Sequence, residues 1–301
     1  MLILNIARKV KKTYREYRLS SLPITESWQK IDNKFWMKIM PDDFMDRGFY
    51  LGSYEPLLKY FINNFVQRDE ICIDIGAHKG YFTLQLAKAV GDNGKVIAID
   101  ADDNVIIKLN ENCAKNKYKN ISIYNIALGD VEELSEFSFS NQTGYSSRFP
   151  NLIAKPKIRS VSTIKISTLD QLINDLGLLQ DKQNLSFIKI DAEGSESRIL
   201  KGMSNTITKF KPILWIEVNN ESLISAETSP KSIQDTLNEH EYDIFRINCK
   251  RDHLFRSKLS LKKTNNLQSD IKYCEDIVAV SNNSDYFDRF AKIFLKDNSY
   301  Y

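Results

Sequence analysis

The chain is poor in the residues that build metal centres and disulfide frameworks. It holds three histidines, His78, His240 and His253. None stands at metal-ligand spacing from another, which argues against a zinc site. The four cysteines, Cys72, Cys113, Cys249 and Cys274, form no C-x-x-C pair. Cys72 falls inside an apolar run, where a thiol behaves as a small hydrophobe, so a reducing, cytoplasmic compartment is expected. No apolar run reaches the roughly 18 residues of a membrane span, and the first residues lack the long apolar core of a secretory signal. A G-x-S-x-G elbow is missing, so the chain does not read as a serine hydrolase. Net charge is only +3, too small by itself to indicate nucleic-acid binding. Few glycines and prolines, 11 and 7 in 301 residues, leave little room for long disordered tracts.

Charge is concentrated at one end. Arg8, Lys9, Lys11, Lys12, Arg15 and Arg18 fall within residues 1–18, against one acid, Glu16. Leu2, Ile3, Ile6, Val10 and Tyr14 recur at helical spacing. This is a basic amphipathic helix, which either contacts an anionic membrane surface peripherally or is a solvated or packing helix. Trp28, Phe35, Trp36 and Met37 read as covering material, and residues 1–50 as an N-terminal helical extension of a main domain over 51–301.

From residue 71 onward, short apolar runs alternate with amphipathic stretches. Strands are expected at Ile71–Ile75, Lys95–Asp100, Ile121–Ala127, Ser186–Asp191, Pro212–Val218, Asp243–Ile247 and Ile277–Val280. Helices are expected between them, among them Thr168–Leu179, Glu196–Lys209 and 285–295. That alternation indicates an α/β fold with a mostly parallel sheet. Leu134–Ser140 and Val161–Ile166 break the rhythm and read as an inserted β-hairpin, with Gly144, Tyr145 and Pro150 in a polar loop between them. The basic stretch 250–272 reads as a long loop, either a lid for an anionic acceptor or a solvated segment.

The informative stretch is Ile71-Cys-Ile-Asp-Ile-Gly-Ala-His-Lys-Gly-Tyr-Phe-Thr83. A buried parallel strand is continuously apolar, yet this one carries Asp74 near its end. Ligands of parallel sheets bind beyond the carboxyl ends of the strands, where glycine lets backbone approach them closely. A dinucleotide fingerprint starting at Gly76 needs glycine at positions 78 and 81; His78 and Tyr81 stand there. D-x-G-x-x-x-G suits a cofactor without phosphates, whose ammonium and ribose need carboxylates. Asp100, at the end of the second strand, can take two ribose hydroxyls. The cofactor-contacting set is then Asp74, Gly76, Ala77, Gly80, Asp100 and Ala101, with Asn125 and Ala127 beside a flat base.

Five stretches together resemble the FkbM methyltransferases. They are Gly52-Ser-Tyr-Glu-Pro56, Asp74–Gly80, Ala127-Leu-Gly-Asp130, Thr168-Leu-Asp170, and Phe187-Ile-Lys-Ile-Asp-Ala-Glu-Gly-Ser-Glu196 with Leu200-Lys-Gly202 and Ile216-Glu-Val218. Ile99-Asp-Ala-Asp102 departs from the family, which often has glutamate then proline there. The resemblance implies a three-layer, Rossmann-like class I methyltransferase fold and S-adenosyl-L-methionine as cofactor. It also implies methyl transfer, usually to a hydroxyl oxygen, with sugars, glycans and other natural products as acceptors and Glu55 reaching over the cofactor; together with the basic N-terminal helix it points to a sugar hydroxyl of a glycan or glycolipid. A methyltransferase for a secondary metabolite and a non-catalytic module of the same fold are the rival readings.

Methyl transfer to a hydroxyl needs in-line alignment and loss of the hydroxyl proton to a base within hydrogen-bond reach. Asp191, at a strand end, is the first candidate base and Glu193 the second; Asp191 could instead position the cofactor. Glu196 reads as a first-turn helix acid. His78 reads as a turn residue facing solvent. Asp191, Glu193 and Glu217 could recruit a divalent cation, but ion pairing is the usual alternative and no metal is expected.

Overall fold

A computed structural model describes residues 2–140, 146–147, 158–178, 184–251 and 257–295, with the side chains of residues 2–8, 11 and 249–258 outside that description. The strands are β1 (Ser27–Ile31), β2 (Phe35–Ile39), β3 (Ile71–Ile75), β4 (Lys95–Asp100), β5 (Ile121–Asn125), β6 (Ala127–Leu128), β7 (Glu133–Ser140), β8 (Ile158–Ser167), β9 (Leu185–Ile190), β10 (Ile213–Asn219), β11 (Tyr242–Arg251), β12 (Ser257–Thr264) and β13 (Cys274–Ser281). The helices are α1 (Leu2–Ser20), α2 (Phe44–Leu51), α3 (Pro56–Phe65), α4 (Tyr81–Val90), α5 (Asp103–Asn116), α6 (Leu169–Asp175), α7 (Glu196–Lys201), α8 (Ser204–Phe210), α9 (Asn220–Ser225), α10 (Pro230–Glu239), α11 (Leu267–Asp270) and α12 (Phe287–Phe290), followed by a π-helical turn, Ala291–Leu295.

Eight strands form one sheet in the order β12-β11-β13-β10-β9-β3-β4-β5. β10, β9, β3, β4 and β5 pair in parallel, and β13 inserts antiparallel between β10 and β11. β3 and β9 are buried at every residue, as two-sided burial of a central parallel strand requires. Alternate residues feed opposite faces. Cys72, Phe187 and Trp215 join α3 and α4 in one core, while Ile73, Ile188 and Ile190 join α7, α8 and α10 in the other. The result is the three-layer α/β architecture the sequence implied.

The inserted hairpin is present as β7–β8, which pairs with β6 in a separate three-stranded sheet. Gly144, Tyr145 and Pro150 lie outside the described residues. Four expectations need correction. Residues 27–39 form a β-hairpin, not part of a helical extension, because Asp32 and Asn33 both take positive φ in a tight turn. Most of 250–272 is β12 and α11 rather than a loop; β12 pairs along β11. The expected helix 196–209 is two helices, since a Cβ on Gly202 would stand 1.9 Å from the Gly129 carbonyl oxygen and the chain bends there. The expected strand 121–127 ends at Asn125, with β6 separate.

Two strand ends approach each other where the site forms. Gly76 has φ +76°, and a Cβ there would lie 1.7 Å from the Asp191 carbonyl oxygen. Gly177 also has positive φ, but nothing lies within 4 Å of its missing Cβ. Gly76→Ala is therefore expected to lower unfolding free energy by at least about 3 kcal/mol, and Gly177→Ala by only about 1 kcal/mol. Urea denaturation checks both, and equal losses would contradict the close approach.

Candidate active site

The carboxyl edge of β3, β4 and β9 opens into a cavity of about 1050 Å³. The β3–α4 turn is pinned first. The Gly76 and Ala77 amides donate to the Ile99 carbonyl at 2.9 and 3.0 Å. The His78 amide donates to Asp100 Oδ2 at 2.8 Å, and the Asp102 amide to Oδ1 at 2.9 Å. Each Asp100 oxygen thus spends one lone pair on backbone and keeps another for a ligand. Burial pushes its carboxyl up to about 6. Asp74 is buried; Thr83 donates to its Oδ2 at 2.6 Å, and its Oδ1 has no hydrogen-bond partner.

Strand register gathers the charges. Asp74 lies beside Lys189 and Lys189 beside Trp215, while Glu217 stands opposite Asp276. The buried Lys189 ammonium sits 2.9 Å from Asp191 Oδ2 and 3.8 Å from Asp74 Oδ1. Glu193, at φ +48°, is pushed up to about 8 by burial and then by Asp191. Asp191 and burial together raise Glu217. Glu196 starts α7 as expected, and its carboxylate accepts from the Ala192 and Gly194 amides, bending the loop that carries Asp191 and Glu193. Asp191, Glu193 and Glu217 share the cavity, yet among the described residues no group of three or more such side chains is arranged to hold a metal ion.

Of the residues singled out in sequence, Asp74, Gly76, Ala77, Asp100, Ala101, Ala127, Asp191 and Glu193 line this cavity. Gly80, Asn125 and Glu55 are not among its lining residues. Gly80 ends the turn at φ +90° against Leu109. The Asn125 amide donates to the Asp100 and Ala101 carbonyls at 3.1 Å, so it braces the β4 end instead. Glu55, at φ +35° before Pro56, is raised by burial and by Asp276 and feels Lys189 and Asp191. His78 is partly exposed and lines the cavity, but its Nε2 is buried, and burial holds the ring neutral, down to about 3.

Sequence reasoning missed the wall built by residues before β3. Asp43, Phe44, Met45, Phe49 and Tyr54 all line the cavity. Phe49 stacks on Tyr81 at 4.5 Å, and Tyr54 meets both edge-on. Lys79, 1% exposed, ties this wall to the turn through Asp43 at 2.9 Å and Asp46 at 2.8 Å. The opposite rim is held by β8, where Arg159 bonds Asp102 at 2.9 Å. Ser146 also bonds Asp102, and Ser147 donates to the Glu193 carbonyl. The Asp43–Asp46 spacing was the available signal for the first wall; the second has none. Lys79→Ala leaves two acids without their buried partner, so a loss of about 3–5 kcal/mol in unfolding free energy is expected. A loss below about 1 kcal/mol in denaturant titration would show the triad to be incidental.

A match to the methyltransferase FkbM domain spans residues 74–244, more than half of the chain. The chain is 31% identical over 77 residues to a 23S rRNA (uracil(1939)-C(5))-methyltransferase of Acinetobacter baylyi, covering 26% of this chain and 16% of that protein. It is 27% identical over 126 residues to a probable cobalt-precorrin-6B C(15)-methyltransferase (decarboxylating) of Thermoplasma volcanium, covering 39% and 62% respectively. It thus spans less than two thirds of either relative's length. Among solved structures, the methyltransferase FkbM of Methylobacillus flagellatus KT shares 16% identity, with 79% of this chain and 55% of that chain covered and a TM-score of 0.40. The domain match, over the same strands and turn that build the cavity, shows that the chain belongs to the FkbM methyltransferase family.

Proposed function

We propose that the protein is an S-adenosyl-L-methionine-dependent O-methyltransferase acting on a sugar hydroxyl of a glycan or glycolipid. Peripheral membrane contact through residues 1–18 belongs to the same reading. The observation that supports it best is the common cavity of Asp74, Asp100, Asp191 and Glu193. The residues present fit the cofactor: a buried Asp74 oxygen lacks a hydrogen-bond partner, and each Asp100 oxygen retains a lone pair. The bound cofactor supplies an electrophilic methyl group on a cationic sulfur.

This chain's residues do the rest. Asp100 holds ribose hydroxyls, and Asp74 holds a donor of the amino-acid portion. Ala101 and Ala127 offer small apolar surface beside the base. Asp191, fixed by Lys189, orients the reacting groups. Glu193 takes the acceptor's proton, because a carboxyl raised to about 8 is matched to proton transfer near neutrality. Phe44 is 82% exposed at the cavity edge, next to Asp42 and Asp43. An exposed ring beside carboxylates suits the apolar face and the hydroxyls of a sugar.

Calorimetry with S-adenosyl-L-methionine tests the cofactor assignment. Wild-type binding and at least about tenfold weaker binding by Asp74→Ala are expected; no wild-type binding would remove the proposal. Transfer of labelled methyl into a glycan and glycolipid extract tests the base. The raised Glu193 carboxyl must lose its proton to act, so kcat/KM should rise with pH between about 6 and 8. Glu193→Gln should lower it by about 10²–10⁴ and flatten that limb. Asp191→Asn should reduce turnover while retaining cofactor affinity. An unchanged pH profile in Glu193→Gln would pass the base role to another carboxylate.

A further inference from the structure

Helix α1 carries an apolar stripe that no other element covers among the described residues. Val10, Tyr14 and Tyr17 are 63%, 60% and 69% exposed, and their i, i+4, i+7 spacing puts them within about 60° of one another around the axis. Three aligned, uncovered large side chains differ from the single exposed hydrophobes common on any surface. Lys9 and Arg15 are exposed to either side of the stripe, roughly 110° and 130° round the axis from its centre, and Lys12 lies on the opposite face; Glu16 is the one acid, 3.8 Å from Lys12. An apolar stripe flanked by cations matches an anionic lipid surface: the stripe enters the acyl boundary and the cations meet headgroup charge. Among the described residues no helix is long and apolar enough to cross a membrane, so the fit is to lying on one.

The helix is not loosely attached. Arg18 donates to the Tyr50 carbonyl at 2.9 Å and lies 4.3 Å from the centre of that ring. Tyr50 is on α2, whose first turn, with Asp43 and Phe44, walls the cavity. Tyr50 and Phe44 are six residues apart, about 9 Å along the helix. Asp43 and Asp46 then run through Lys79 into the cofactor turn. A short chain of contacts therefore links the uncovered stripe to the cavity edge.

We infer that α1 docks on an anionic phospholipid bilayer through Val10, Tyr14 and Tyr17, and that this docking holds the Phe44 edge of the cavity at the membrane surface, where a lipid-linked acceptor is presented. The orientation rests on the methyltransferase reading; the docking does not, because vesicle binding needs neither cofactor nor acceptor. Flotation of the full chain with phosphatidylcholine vesicles, with and without phosphatidylglycerol, tests it. Binding at least about tenfold stronger with the anionic lipid is expected, weakening as salt rises. The triple variant Val10→Ser, Tyr14→Ser, Tyr17→Ser should lose that binding while keeping wild-type affinity for S-adenosyl-L-methionine. Equal binding to both vesicle types, or undiminished binding by the variant, overturns the docking. So does a variant that changes only the oligomeric state in sedimentation velocity, which would give the stripe to a second copy of the chain. For the orientation, Phe44→Trp emission should be quenched by brominated anionic lipid beyond the wild-type response. No added quenching would leave α1 on the membrane but turn the cavity away from it.

Discussion

The Lys189 ammonium stands among six carboxylates, Glu55, Asp74, Asp191, Glu193, Glu217 and Asp276, that the strand ends and the α3 start bring to one edge of the sheet. A buried cation among acids is stable only while its partners are in place, because removing one leaves charge uncompensated in low dielectric. One ammonium cannot offset six acids. Burial and mutual repulsion accordingly push Glu55, Asp74, Glu193, Glu217 and Asp276 upward, toward their protonated forms. With raised folded-state values the native protein binds more protons than the unfolded chain. Stability therefore falls as pH rises from the ordinary carboxyl range toward about 8. A cationic ligand in the cavity relieves the same repulsion. The charge pattern thus favours a positively charged ligand.

Around that floor the fold supplies two fixed walls. One is the N-terminal hairpin and α2, bound to the cofactor turn by the Lys79 triad and by Asn112, whose side chain accepts from the Lys38 amide and donates to the Lys79 carbonyl. The other is the β7–β8 hairpin, bonded to Asp102 through Arg159 and Ser146. Glu55, His78 and Glu193 all take positive φ, a conformation costly for side chains other than glycine and common where a site must be preorganised. Two of the three lie within four residues of Asp74 or Asp191.

The central strands were legible because two-sided burial writes a continuous apolar run, and Asp74 inside ICIDI stood out against it. Gly76 was legible for the same reason: a tight strand-to-helix turn needs a residue without Cβ. Residues 27–39 were not, since aromatic residues in a short hairpin and on a covering helix look alike over so few positions. The Gly202 break follows from a contact with Gly129, distant in sequence, which no local pattern carries. Asp276 was invisible because only the antiparallel insertion of β13 places it opposite Glu217. Asn125 was misread for a subtler reason: it stands at the strand end as expected, but its amide turns back to brace β4. Periodicity finds the strand and the turn; which way an edge side chain points is decided by partners far along the chain.

Where the cofactor lies is read directly by a crystal structure of the protein soaked with S-adenosylhomocysteine. The ribose hydroxyls are expected within hydrogen-bond distance of Asp100 and the sulfur facing the Asp191–Glu193 loop. A nucleoside bound outside this cavity, or ribose hydroxyls turned away from Asp100 toward bulk water, would contradict that placement.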